Sequence, residues 1–379
     1  QLHRAPCIGT GIEHRIGAES ASAHDESHGL DAPDPLCQQP PSWFFAIEHR
    51  PGEDDTIEKP DGYDVLSRWV PTMHDRPWPG PLFSWTIPTH GDEPSRVLPL
   101  VPWPDEPVDD AWELWRYRRI VEAAAHTDGR PDVCLVNWAQ MDDWREPVLN
   151  RSRDERPELF GRARQLSACL LYWMQTKAPR HDGGTGYPGL RLRGDELGTR
   201  DGFAMMPYIR EPRRLEALRM LAEPDVGSDQ RGHTDAGIAG VPAEGRCEPF
   251  DDSVAIGHYH IDLHPTPTGR NSVYVEAAPF QIPFRSLVPV RCTNVLAAGK
   301  CLGVTHIVNG ASRTHAVEWA IGEAAGTAAA VCVSRDVEPH GIASQPRARG
   351  FGPGTLVSDL RNALQNRSAP TAWPWDPPA

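Results

Sequence analysis

Hydrophobic positions along the chain come in short bursts separated by long polar and proline-rich stretches. Residues 42–48, SWFFAIE, concentrate aromatic and β-branched side chains and predict a strand, as do residues 134–138. Trp112, Trp115, Ile120 and Val121 have helical spacing and predict a helix over 109–125. Leu159, Ala163, Leu166, Leu170 and Trp173 recur every three or four residues, so a longer amphipathic helix is expected over 153–177, broken at Ala178-Pro179. Residues 207–209 read as extended, and 212–222 as a short helix with proline in its first turn. Residues 254–263 and 272–277 read as paired strands around the turn PTPTGRN, and 355–365 as the last helix. Residues 1–42, 180–202 and 225–252 are polar or glycine-rich and read as connections, the last of them a mobile loop.

The most informative stretch is 294–331, NVLAAGKCLGVTHIVNGASRTHAVEWAIGEAAGTAAAV. Asn294 to Ala298 is a short apolar run closed by Gly299, whose missing Cβ allows close approach of backbone or ligand; it predicts a buried strand end. Gly310, Ala311 and Ser312 lead into a helix through Ala330, with Ser312 or Thr314 as N-cap. Gly322, Gly326 and Ala330 form a stripe that permits close backbone packing. A helix N-terminus suits a phosphate, a carboxylate or an electron-rich ring edge. Two readings are open on pattern alone, a well-packed α/β unit and a ligand site. Lys300, His306, Arg313 and His315 fall at the two ends that would converge on a ligand.

VLAAGKC, NGASRTHAVEWAIGEAAG and the preceding QIPFRSLVPV resemble the FAD-dependent oxidoreductase family. PYIREPRRL at 207–215, HYHIDLHP at 258–265, LVNWAQMDDW at 135–144 and HRIGAES near residue 14 resemble further segments of it. The resemblance implies an α/β fold: the later portion of a divided FAD-binding Rossmann domain with an inserted mixed α+β substrate domain. It divides the chain into a substrate or cap domain at 1–290, the C-terminal Rossmann segment at 291–335, and a C-terminal helix and tail at 336–379. It implies hydride transfer between a small organic substrate and flavin. On the flavin side it places Gly299, Lys300, Cys301, Gly310, Ala311, Ser312, Arg313 and His315. His315 stands nearest the ring, where the helix dipole would push its pKa down and keep it neutral. His260, His264 and Arg210 are the expected substrate residues.

The G-x-G-x-x-G turn with which such enzymes hold the FAD pyrophosphate is not found here. Gly9-Thr10-Gly11 has His14 in the place of the third glycine and no apolar strand before it. The expectation is a C-terminal part of a flavoprotein whose first nucleotide-binding half is supplied by a separate chain or lost by truncation.

Composition narrows the alternatives. A net charge of −14 without a basic tract argues against nucleic-acid binding. No run of about 18 apolar residues occurs, so no membrane span is expected. Eight cysteines without a C-x-x-C pair suit a reducing, cytoplasmic compartment and no zinc ribbon. The 39 prolines gather in long connections, and the 13 tryptophans suit either scattered packing or a capped pocket.

His258, His260, Asp262 and His264 alternate, so that on one strand all four would share a face. That pattern supports a rival, a metal-dependent hydrolase, and resembles the H-x-H-x-D-H signature of metallo-β-lactamase-type hydrolases with one residue too many. No metal is expected in the flavoprotein reading. Arg210, Arg213, Arg214 and Arg285 are forks for an anionic group or structural partners of Glu211 and Glu216. No G-x-S-x-G elbow or phosphate loop occurs. A third reading is a non-catalytic flavoprotein remnant or binding partner.

Overall fold

A computed structural model describes residues 11–73, 77–88, 95–100, 113–228, 249–344 and 355–374. The chain forms two compact units. One takes Gln1–Gln38, Arg210–Leu263 and Ser272–Ala379; the other takes Gln39–Ile209 and His264–Asn271. Residues 291–335 share one hydrophobic core with Val254, Phe280, Leu287 and Leu360, which lie on either side of them in sequence.

In the unit built mainly from Gln39–Ile209, β1 (Phe45–His49), β2 (Arg119–Val121), β3 (Val133–Val136) and β4 (Leu190–Leu192) form an antiparallel sheet in the order β2-β3-β1-β4. Ile47 stands opposite Cys134 on one side and Leu192 on the other. As an inner strand β1 has its first residues fully buried, which explains its unbroken run of apolar residues. Helix α1 (Arg156–Thr176) adds Leu159, Ala163, Leu166, Leu170 and Trp173, the side that its periodicity marks, to the buried interior. The tryptophans Trp78, Trp85, Trp138, Trp144 and Trp173 pack in this interior, with Trp85 edge-on to Trp173 at 4.7 Å.

The helix expected over 109–125 is not formed. Residues 109–112 lie outside the described residues, and beyond them a one-turn helix at Leu114–Tyr117 gives way to β2. There Ile120 and Val121, stiff at χ1, go into an edge strand beside β3.

In the other unit, β5 (Ser253–Gly257) pairs with β8 (Phe280–Pro283), and β6 (Ile261–Leu263) with β7 (Val273–Val275), all antiparallel. The expected continuous strand over 254–263 is thus two strands interrupted at 258–260. Helix α2 (His306–Ser312) and helix α3 (His315–Arg335) follow, then α4 (Leu356–Gln365), whose N-cap Thr355 accepts a hydrogen bond from the Ser358 N–H. Val317, Ile321, Ala324 and Ala328 carry α3 into the core. Gly257 lets α3 close on β5, because a Cβ there would lie 2.6 Å from the Phe280 ring and 3.1 Å from Val317.

Two further expectations change here. Residues 294–298 are not a strand; their tie to the core is the Ala297 N–H to Leu287 carbonyl bond of 2.8 Å, before a 3-10 turn at Gly299–Cys301. The helix expected over 212–222 is replaced by Arg214–Leu215, which pairs with His14–Arg15, a long-range ladder that wins over local helix formation. The loop expected over 225–252 falls largely outside the described residues. Among the described residues every strand ladder is antiparallel, and the parallel contacts are the isolated bridges Ser20 to Leu30 and Leu221 to Val304. The architecture is mixed α/β.

By length and composition, His315–Arg335 would also pass for a membrane-crossing helix, with 33% of its most apolar window buried. One side of it lines the core. Its other side carries the glycine stripe, which does not pack closely: a Cβ on Gly322 or Gly326 would meet nothing within 4 Å. Gly310 is the opposite case, since a Cβ there would lie 2.8 Å from the Asp262 nitrogen. Gly310→Ala is therefore expected to destabilise the fold by about 1–3 kcal/mol through overpacking. Gly326→Ala should stabilise it by up to about 1 kcal/mol through helix propensity. Urea denaturation of the two variants, compared with the parent, checks both signs.

Candidate active site

In the unit formed by Gln39–Ile209 and His264–Asn271, Ser42 lies between two other segments. Its backbone pairs with Tyr208 through N–H to carbonyl bonds of 3.1 and 2.8 Å. On its other side it bridges to Asp142, where the Asp143 N–H donates to the Pro41 carbonyl at 2.9 Å. The Ser42 hydroxyl donates to Asp142 Oδ1, and His264 Nδ1 lies 2.5 Å from Asp142 Oδ2. Asp142 is buried, 1% exposed, while the His264 ring is partly open to solvent. A carboxylate accepts only, so His264 carries its proton on Nδ1 and its basic atom is Nε2. This arrangement orients an imidazole for proton transfer.

Sequence reasoning singled out His264 and missed Asp142 and Ser42. Both lie inside stretches that resemble family segments or predict a strand, LVNWAQMDDW and SWFFAIE, but nothing in either stretch marks the pairing.

The four residues of HYHIDLH do not share one strand face. Residues 258–260 interrupt the strand, Asp262 pairs with Arg313 (Oδ2 to Nη2, 3.2 Å), and His264 goes to Asp142. His258 is edge-on to Trp373 at 6.5 Å, and His260 stacks on Tyr259 at 4.1 Å and meets the Tyr274 ring, tilted, at 4.2 Å. Burial pushes the His260 pKa down against the pull of Asp262 and Glu276, which favours a neutral ring. Among the described residues no three His, Cys, Asp or Glu gather as a metal site. Arg210, the remaining expected substrate residue, is 2% exposed.

The expected flavin-side residues all lie in the unit of α2 and α3. Gly299 takes φ +72°, and the Glu318 carboxylate reaches both the Lys300 N–H at 3.2 Å and the Lys300 ammonium at 3.7 Å. Cys301 donates to the Ala298 carbonyl at 3.3 Å, and burial raises its pKa. Gly310, Ala311, Ser312 and Arg313 are buried. Gly310 packs on Asp262, and Arg313 donates to the Asp262 carbonyl at 2.7 Å. His315 begins α3 at the surface, after Thr314, which holds the N-cap position without a side-chain cap bond.

The family model described as FAD dependent oxidoreductase matches residues 7–364. The chain belongs to that family. No curated protein and no solved structure matches it. Family membership implies FAD, and two observations bear on the residues expected beside it. The Ser312 hydroxyl is buried with no hydrogen-bond partner. The N-cap residue of α3, Thr314, makes no side-chain cap bond, and the positive end of the helix dipole lies there. Both fit the cofactor, whereas Gly310 faces backbone and Ala311 lies in the core.

Behind these residues lies a buried ionic cluster that ties together distant parts of this FAD-dependent oxidoreductase. Arg214 pairs with Glu19 at 3.2 Å and Glu211 at 3.4 Å, and donates to the Gly17 carbonyl. Glu19 accepts the His306 N–H at 2.8 Å, and Glu26 accepts the Thr305 hydroxyl at 2.5 Å, so carboxylates occupy the start of α2. Burial raises the Glu26 pKa against the bonds from the Thr305 hydroxyl and the Glu223 N–H. His306 Nδ1 meets Glu211 at 3.0 Å, and the ring also hydrogen-bonds Cys37. Burial alone would lower the His306 pKa, but the Glu211 charge and the bonds from Cys37 and Glu211 together raise it to about 9.

A folded pKa raised from 6.5 to about 9 means that the stabilisation is complete below pH 6.5 and lost as pH climbs through 9. The loss amounts to about 3 kcal/mol. Wild type should lose stability across that window in denaturant titrations, and His306→Asn should be less stable at pH 6 with a flatter profile.

Proposed function

We propose that this chain takes part in a two-electron oxidation or reduction of a small organic substrate, with FAD as the redox partner and His264 as the proton carrier. The observation that carries the reading is the Ser42, Asp142 and His264 arrangement within a chain of the FAD-dependent oxidoreductase family. FAD, when bound, supplies hydride chemistry at its N5 atom. In the oxidative direction a substrate C–H bond gives up a hydride and an X–H bond gives up a proton. Within the unit built mainly from Gln39–Ile209, His264 Nε2 is the proposed carrier of a proton, with Asp142 accepting its Nδ1–H. The reductive direction returns it.

On the cofactor side, Gly299, Lys300 and Cys301 with Ser312, Arg313 and His315 are the residues that would hold the flavin. Gly310 and Ala311 support them as packing. Arg210 and His260 are kept in this proposal as substrate-side residues of lesser weight. The G-x-G-x-x-G element absent from this sequence is supplied by a polypeptide segment outside it.

The test is to purify the chain with the product encoded directly upstream and record the visible spectrum. A flavin band that stays with the complex through gel filtration is expected. A colourless complex, with FAD added in excess, contradicts the proposal and favours a non-catalytic role. Ser312→Val should weaken retention of FAD by roughly three- to tenfold, the loss of one hydrogen bond.

A further inference from the structure

The backbone around Ser42 places more than the proton carrier on one face. Residues opposite each other in an antiparallel bridge point their side chains to the same side, and residues two apart along a strand do so as well. Ser42 bridges both Asp142 and Tyr208, so all three project from one face, and Phe44 shares it. The contacts agree with that geometry. Ser42 reaches Asp142 with its hydroxyl, and the Phe44 and Tyr208 rings stack with centroids 5.4 Å apart and planes 29° apart. The next residue, Phe45, turns to the opposite face and packs on Phe203 in the core.

Phe44, Tyr208 and His264 are each only half-buried, whereas Ser42 and Asp142 beneath them are fully buried. The site therefore has a buried polar base, the His264 imidazole held by it, and a pair of stacked aromatic rings on the same face. Adding the two bridge spacings puts the Asp142 and Tyr208 backbones roughly 10 Å apart.

We propose that the Phe44 and Tyr208 pair is a substrate-binding platform and that the substrate class is a planar aromatic compound bearing an acidic hydroxyl, whose proton passes to His264. This rests on the reading of His264 as proton carrier. The step breaks the substrate O–H bond, leaves its electron pair on oxygen, and forms the Nε2–H bond of an imidazolium held by Asp142. No redox partner is needed for it, so it can be observed without flavin.

The probe is 4-nitrophenol, whose phenolate is yellow, titrated against the full chain at about pH 7, where an ordinary imidazole is largely neutral and part of the free probe is still protonated. Wild type should bind it and increase the phenolate band. Tyr208→Leu and Phe44→Leu should each weaken binding by roughly three- to tenfold, the worth of one aromatic contact. Tyr208→Phe, which keeps the ring, should bind like wild type, and circular dichroism confirms that the leucine variants fold. His264→Gln should bind the probe without the increase. Absence of binding by wild type, or unchanged affinity in both leucine variants, overturns the platform. The full increase in His264→Gln overturns the proton-carrier reading and leaves the platform standing.

Discussion

A carboxylate removed from water costs several kcal/mol unless its oxygens are matched by donors, and Asp142 is such a group. One oxygen takes the Ser42 hydroxyl and the other takes His264. Meeting that demand brings together three stretches remote in sequence: the strand entry at Ser42, the turn at Asp142 and the loop after Leu263. Tyr208 is held by the same Ser42 backbone, so satisfying one buried charge also sets the aromatic neighbours of the imidazole. The chemistry of the site is in this sense a by-product of a packing requirement.

The other unit follows the same rule with more charges. Arg214 is completely buried and is matched by Glu19, Glu211 and the Gly17 carbonyl, while His306 is matched by Glu211. This cluster joins the segment near residue 19, the arginine-rich segment and the start of α2. Where PYIREPRRL runs on into a strand, Arg214 pairs in backbone with Arg15 and reaches Glu19 from the distant segment as well as Glu211 from its own. Removing one member would leave its partner buried and unmatched, a larger loss than the pair itself contributes.

Elements whose periodicity is long were legible in the sequence. Leu159 to Trp173 marked α1, and the Ala- and Val-rich run with Thr314 before it marked α3. Short apolar runs such as Phe45–His49 and Val133–Val136 were legible as strands, but other short elements were not, because a few residues of local preference yield to long-range pairing. Residues 212–222 and 109–125 are the cases in point. The metal-like alternation of HYHIDLH failed for a related reason: a break of three residues ends the common face, and each acid or histidine then finds its own partner. His264 was visible as a candidate, but its meaning lay in Asp142, 122 positions away. The glycine stripe of α3 permits close packing, yet Gly322 and Gly326 face open space, since small residues allow an approach without causing one.

The account depends most on Asp142 fixing the proton of His264. Nitrogen-15 NMR of histidine-labelled protein distinguishes the two neutral tautomers directly. The expected spectrum has the His264 proton on Nδ1 in wild type, and a mixture or the Nε2–H form in Asp142→Leu, with the other histidines unchanged. A wild-type ring protonated on Nε2 alone, or a tautomer that does not respond to the loss of Asp142, would contradict the account.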